Sequence, residues 1–99
     1  MAEYDDGFFQ WSIEKAAANI QKHGISFNDA SRVFEDPTVL EMQDQEHSWD
    51  EDRWIALGRI PEIGIVSVVW VSRNERVRLI SARPATSSEG RSYERHRKS

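Results

Sequence analysis

Ninety-nine residues fit one domain, and the absence of cysteine excludes a disulfide scaffold, a zinc–thiolate site and thiol catalysis. No apolar run approaches the ~18 residues of a membrane span and no basic-then-apolar leader opens the chain, so one soluble, cytosolic domain over residues 1–99 is expected, away from membranes. The net charge of −4 argues at first against a nucleic-acid partner.

Residues 1–7, with Asp5, Asp6 and Gly7, read as a frayed lead-in, and residues 8–11 as a short aromatic edge strand. Ser12 is placed to cap a first helix, with Glu14 in its first turn where the helix dipole favours an acid. Ile13, Ala16, Ala17 and Ile20 trace an apolar face expected to be buried. Lys22 and His23 close that helix, and Gly24 suits the left-handed position beyond its end. Ser26 caps a second helix whose Phe27, Ala30, Val33 and Phe34 form a buried stripe, and Asp36-Pro37 stops it.

A strand over 38–42 follows, then a polar loop over 43–52, long beside the usual ~4–6 residues and therefore a candidate carrier of function. Strands over 53–58, 64–71 and 76–83 come next, separated by turns at Pro61-Glu62 and 72–75, the second of them the most hydrophobic and placed centrally. Pro84 ends the last strand, and a final helix starts near Thr86 or Ser87, with a basic tail over 96–99 expected to fray. Short connections force antiparallel pairing, which predicts an α+β domain: two N-terminal helices packed on one face of a mainly antiparallel sheet, with a C-terminal helix.

The charge is split along the chain. Residues 1–50 carry three basic and eleven acidic side chains, a balance of −8, whereas residues 51–99 carry ten basic and six acidic, a balance of +4. Such asymmetry points to a polyanion or to an oppositely charged protein, or to two solvated faces of opposite sign. In the strand over 76–83, alternation groups Arg76, Arg78, Ile80 and Ala82 on one face and Val77, Leu79, Ser81 and Arg83 on the other. Val77 and Leu79 then face the helices, Arg76 and Arg78 the open side, and Arg83 reaches outward only if strand twist turns it.

Several segments, in order, resemble a known family. Phe9-x-Trp11, Lys15-Ala16-x-x-Asn19-x-x-Lys22-His23-Gly24-Ile25-Ser26-Phe27 and Val33-Phe34-x-Asp36-Pro37 are followed by Asp44-x-x-His47 and Glu51-x-Arg53-Trp54-x-x-Leu57-Gly58. Arg78-Leu79-Ile80-Ser81-Ala82-Arg83-x-Ala85 and Glu89…Arg91…Tyr93-Glu94 complete the set. Together they resemble the BrnT family of bacterial type II toxins over nearly the whole chain. Family members commonly place aspartate where this chain has Ser12; both cap helices well. The resemblance implies a small RelE-like fold and a metal-independent endoribonuclease that cleaves RNA and blocks translation. It also implies a cognate BrnA-like ribbon-helix-helix antitoxin, through which alone operator DNA is reached.

Metal-free RNA cleavage needs the 2′-hydroxyl activated, phosphorane charge stabilised and the 5′-oxygen protonated. Arginine suits the second task because its planar fork bonds two phosphate oxygens. With the family pattern added, Arg78 and Arg83 are candidate catalytic groups; Arg76, Arg53 and Arg91 are candidate RNA contacts. Arg76 can equally guard an exposed strand against aggregation, and Arg53 can pair with Glu51 or Asp52. His47, beside Asp44 and Glu51 in the polar loop, is the foremost acid–base candidate, with Glu51 as its companion. Tyr93 can stack on a base or act as a weak acid, or simply pack its helix on the sheet. His23 suits a helix end and His96 lies in the tail. No cofactor or metal is expected, since Asp44, His47 and Glu51 lack the spacing of a ligand set. The rival readings are a non-catalytic RNA-binding module, with Trp54, Trp70 or Tyr93 stacking bases, and a protein-interaction domain with a basic face.

Overall fold

The caps read in the sequence set where the helices begin and end. A computed structural model describes residues 2–99, with Met1 outside the described residues. Helix α1 (Ile13–His23) starts where Ser12 Oγ accepts the Lys15 N–H and ends at Gly24 in the left-handed conformation, φ 73°. Ser26 Oγ likewise accepts the Asp29 N–H to open α2 (Phe27–Ala30), which tightens into a 3₁₀ turn, Ser31–Glu35. Helix α3 (Ser87–Lys98) opens with a reciprocal capping box between Thr86 and Glu89. It stays helical through Lys98, so most of the tail expected to fray is ordered. Among the described residues, no helix is long and apolar enough to cross a membrane.

Among the described residues six strands form one sheet: β1 (Glu3–Asp5), β2 (Phe9–Ser12), β3 (Leu40–Gln43), β4 (Arg53–Ile60), β5 (Gly64–Arg73) and β6 (Arg76–Pro84), in the order β1-β2-β6-β5-β4-β3. The lead-in expected to fray therefore holds a strand. Asp6 turns it back by accepting the N–H groups of Phe8 and Phe9, and Tyr4 stacks on Trp11 with ring centroids 4.2 Å apart. Because β1 covers its flank, β2 is not the expected edge; it pairs parallel with β6, the helices forming the crossover. Strands β3 to β6 form the expected antiparallel meander. Its last turn carries Asn74 and Glu75 at φ 54° and 61°, the two-residue geometry that matches strand twist.

The two N-terminal helices pack on one face of the sheet, as expected, and α3 covers part of the other. On the first face α1, α2 and the 3₁₀ turn meet Trp11, Ala56, Val66, Val68, Leu79 and Ala82 around Phe27, Ala30 and Val33. The face of α1 that turns inward carries Asn19 and, of the predicted apolar stripe, Ala16; Ile13 and Ile20 are 44% and 49% exposed. Asn19 accepts the Ala82 N–H and donates to the Ala82 and Ile25 carbonyls, all within 3.0 Å. It thereby supplies partners to β6 beyond the two positions that β2 pairs.

Helix α3 lies on the opposite face, where Leu57 and Tyr93 are buried. It is pinned there by Arg83, which forks onto Glu89 at 2.8 and 3.0 Å, and by Tyr93 one turn later, whose hydroxyl donates to Asp36. A bulge in the β5–β6 ladder makes this possible. Val69 opposes Ser81 while Trp70 opposes Leu79, which leaves Ile80 as the extra residue. The shift moves Ala82 from its predicted open-face position into the helix-side core and brings Ser81 and Arg83 round to the face of Arg76 and Arg78. The extra residue, rather than strand twist, turns Arg83 outward.

Candidate nucleic-acid interface

Strand register assembles a row across the open face. Arg53 on β4, Val71 on β5 and Arg78 on β6 are successive partners, with Gln10 and then Asp5 continuing the row through β2 and β1. Arg73 and Arg76 oppose each other one step along.

These arginines differ sharply in what they touch. Arg78 forks onto Glu3 at 2.5 and 3.3 Å and also donates to Gln10 Oε1 at 3.2 Å. Arg76 donates Nε–H to Asp5 Oδ1 at 2.9 Å and reaches the Asn74 carbonyl. Arg73 pairs with Glu51. The Arg53 guanidinium has no hydrogen-bond or ion-pair partner among the described residues, so the expected alternative of pairing with Glu51 or Asp52 does not occur. Asp52 accepts from Gln43 instead. Arginine contacts hold the carboxyls of Glu3 and Asp5 below the usual carboxylate range.

Arg53 sits where the polar loop returns to the sheet, and the loop's own bonds hold it there. The Asp44 N–H donates to the Arg53 carbonyl at 2.8 Å, and Ser48 Oγ donates to the Asp44 carbonyl while accepting the Arg53 N–H. A 3₁₀ turn, Gln45–His47, then brings His47 Nδ1 to 3.0 Å from Asp44 Oδ2. With Nδ1–H donated to that carboxylate, Nε2 is the nitrogen free to exchange protons. His47, Trp49, Asp50, Glu51 and Arg53 line one open cleft of about 260 Å³.

His47, Glu51 and Arg53 are thus brought together, with Arg76 and Arg78 on the same face but engaged by carboxylates. Arg83 lies elsewhere: its row is Leu57–Ser67–Arg83, four residues along β4 from Arg53, or about 13 Å at ~3.3 Å per residue. Arg91 is exposed on α3 and lines a separate depression with Ile65, Gly90 and Arg95. Tyr93 is only 1% exposed, so it offers no face to a base. Burial first, and then its bond to Asp36, push the phenol up from its usual range. Trp54 and Trp70 stack on each other on the helix side of the sheet. Asp44 and Glu51 do not converge with His47 as a ligand set, since one holds the imidazole and the other holds Arg73.

Trp49 was not anticipated. It is 88% exposed beside His47 and Arg53, and the signal available in the sequence was a single tryptophan inside an otherwise polar loop. Glu3 and Asp5 were also missed as arginine partners. Their signal was the alternation Glu3-Tyr4-Asp5, which places the aromatic on one face and both acids on the other.

Residues 11–89 match the family described as "Ribonuclease toxin, BrnT, of type II toxin-antitoxin system". Among solved structures the chain is similar to the ribonuclease toxin BrnT of Brucella abortus, whose crystal structure was determined at 1.1 Å resolution. The TM-score is 0.60 with 24% identity, over 78% of this chain and 94% of that one, a likeness that carries the fold. No curated protein matches the chain.

Proposed function

Because the chain belongs to the BrnT family of ribonuclease toxins of type II toxin-antitoxin systems, we propose that the cleft around His47 and Arg53 cleaves RNA as a metal-independent endoribonuclease on a RelE-like scaffold. One observation carries this reading: a guanidinium without a partner among the described residues stands in the same cleft as an imidazole whose second nitrogen is held.

Nε2 of His47 takes the proton of the ribose 2′-hydroxyl as its oxygen attacks the adjacent phosphorus. Arg53 bonds the non-bridging oxygens as negative charge develops on them. The bond to the 5′-oxygen breaks, that oxygen takes up the proton now held on His47 Nε2, and the products are a 2′,3′-cyclic phosphate and a 5′-hydroxyl. Glu51, with a side chain about 41% exposed and one oxygen on Arg73, lines the same cleft and is the alternative acceptor for the 2′-hydroxyl proton. Trp49 stacks on a base beside the scissile bond. Arg78 and Arg76 lie on the same face, each on a carboxylate of β1, and Arg91 contacts RNA from α3. Arg83 and Tyr93 act as positioning residues that hold α3 and the end of β6. In the cell the outcome is blocked translation in the cytoplasm. A BrnA-like ribbon-helix-helix antitoxin covers the cleft and links the toxin to operator DNA.

Purified protein incubated with RNA tests the reading, with His47→Ala and Arg53→Ala beside wild type. Cleavage with cyclic-phosphate ends, lost in both variants, supports it; RNA bound tightly but left intact by wild type favours a non-catalytic RNA-binding module. Expression of the chain alone, with and without the product of the adjacent gene, tests toxicity and its neutralisation.

A further inference from the structure

Residues 3–5 lie outside the family match, which begins at residue 11, whereas Arg76 and Arg78 lie inside it. The segment before the match therefore adds a strand to the sheet, and that strand brings two carboxylates onto two arginines of the open face. Its attachment does not depend on those carboxylates alone: β1 pairs with β2 over three residues, and Tyr4 stacks on Trp11 from the opposite face.

Glu3 presents both of its oxygens to Arg78, the two-oxygen arrangement that a phosphodiester also offers to a guanidinium. Asp5 receives the Nε–H of Arg76 while accepting the Gly7 N–H of its own turn, so the hairpin turn aims it. Both carboxylates stay about 43% exposed, against 32% for Arg76 and 15% for Arg78, so the carboxylate side of each pair is open to solvent and an incoming anion can reach it. Arg53 and Arg78 stand two strands apart in one row, about 10 Å at ~4.8 Å per strand. One RNA strand can span that distance.

We propose that Arg76 and Arg78 form a latent phosphodiester-binding site beside the cleft, occupied by the chain's own Glu3 and Asp5, so that β1 limits how many RNA phosphates the face engages. This rests on the reading that RNA lies across the open face at Arg53. The occupant that competes with β1 is the RNA backbone; an acidic segment of a protein is the alternative that the test separates.

The probe is a short 2′-O-methyl RNA oligonucleotide, which lacks the nucleophile and stays intact, with binding measured over a salt series. Glu3→Gln with Asp5→Asn keeps the shapes and removes the competing charges. It is expected to bind more tightly and to steepen the slope of log K against log[salt] by about 1.4, two phosphates at ~0.7 each. Each single variant is expected to give about half of that. Glu14→Gln with Glu35→Gln changes net charge equally on the helix side and is expected to leave the slope at its wild-type value. Circular dichroism melts confirm that each variant is folded, and the single variants stand in if the double variant is not. A slope and affinity equal to those of the control pair overturn the proposal. So does weaker binding, which would make Glu3 and Asp5 supports for the arginines. Unchanged RNA binding with a gain only for an acidic peptide assigns the site to protein and also overturns it. If Arg53→Ala binds the oligonucleotide as wild type does, the reading of the cleft fails instead, whatever β1 does.

Discussion

His47 and Asp44 are separated by one 3₁₀ turn, and their 3.0 Å contact is local enough to survive changes elsewhere in the loop. Replacing His47 by alanine is expected to lower kcat by about 10²–10⁴-fold, the usual worth of a placed acid–base group, with RNA affinity nearly unchanged. Trp49→Ala should behave oppositely. Base–aromatic stacking is worth ~1–3 kcal/mol, so KM rises about 5- to 150-fold while kcat holds, and Trp49→Phe recovers most of the loss. Steady-state kinetics on one RNA substrate separate the two effects. Asn19 makes a comparable point about stability. Its amide satisfies three buried backbone groups, so Asn19→Ala is expected to destabilise the fold by roughly 2–4 kcal/mol in urea titration. Asn19→Asp should be as damaging, because a carboxylate cannot donate to the Ala82 and Ile25 carbonyls.

Among the elements, the 3₁₀ turn and β4 approach so closely that Gly58 has no room for a side chain. A Cβ there would lie 2.8 Å from the Val33 carbonyl oxygen and 2.9 Å from its Cα, both backbone atoms. Gly58→Ala must push the turn off the sheet and is expected to cost about 1–3 kcal/mol, read as a fall in melting temperature. On the other face α3 is tied to the rest of the chain through Asp36. Burial alone would raise that carboxyl. The hydroxyl of Tyr93, the N–H groups of Arg59 and Thr38 and the Thr38 hydroxyl outweigh it and bring the pKa from 3.8 to about 2. A depressed carboxyl stabilises the fold above its unfolded pKa, so the contribution is complete above pH 4–5 and disappears as pH falls through about 2. Asp36→Asn is therefore expected to lose on the order of 2 kcal/mol at neutral pH and to flatten the acid limb of the stability curve. Urea titration from pH 2 to 7 checks both.

For the molecule as a whole, the contrast between an acidic first half and a basic second half does not become two oppositely charged faces. Ion pairs from Glu3 to Arg78, Asp5 to Arg76 and Arg32 to Glu62 cross between the halves, and Arg73, Arg83 and Arg97 find acids within the second. The basic face expected from the charge split is thus narrow, and on the cleft side its cation without a partner among the described residues is Arg53. Arg53→Ala is accordingly expected to reduce the salt slope of RNA binding by about 0.7, one phosphate contact, whereas Arg83→Ala should leave that slope unchanged and lower the melting temperature. Salt-series titrations and thermal melts distinguish the two arginines.

What the sequence determined by itself is the part of the structure written in short-range terms. Ser12, Gly24, Ser26 and the Thr86–Glu89 box act on backbone groups within four residues, and strand alternation needs only its own period. The family pattern likewise marked the loop that carries His47 and Glu51 and the Arg53 that opens β4 after it. The tertiary structure decided the long-range balances. Asn19 buried the polar face of α1 because Ala82, 63 residues away, needed partners, and Ile13 and Ile20 were left in solvent as a result. One extra residue in the β5–β6 ladder reversed the orientation of Ala82 and Arg83. Whether an arginine is free depends on a carboxylate up to 75 residues distant, as Glu3 is from Arg78. Local rules assign conformations, but burial and charge pairing belong to whichever distant groups the fold brings together, and these left the Arg53 guanidinium without a partner among the described residues.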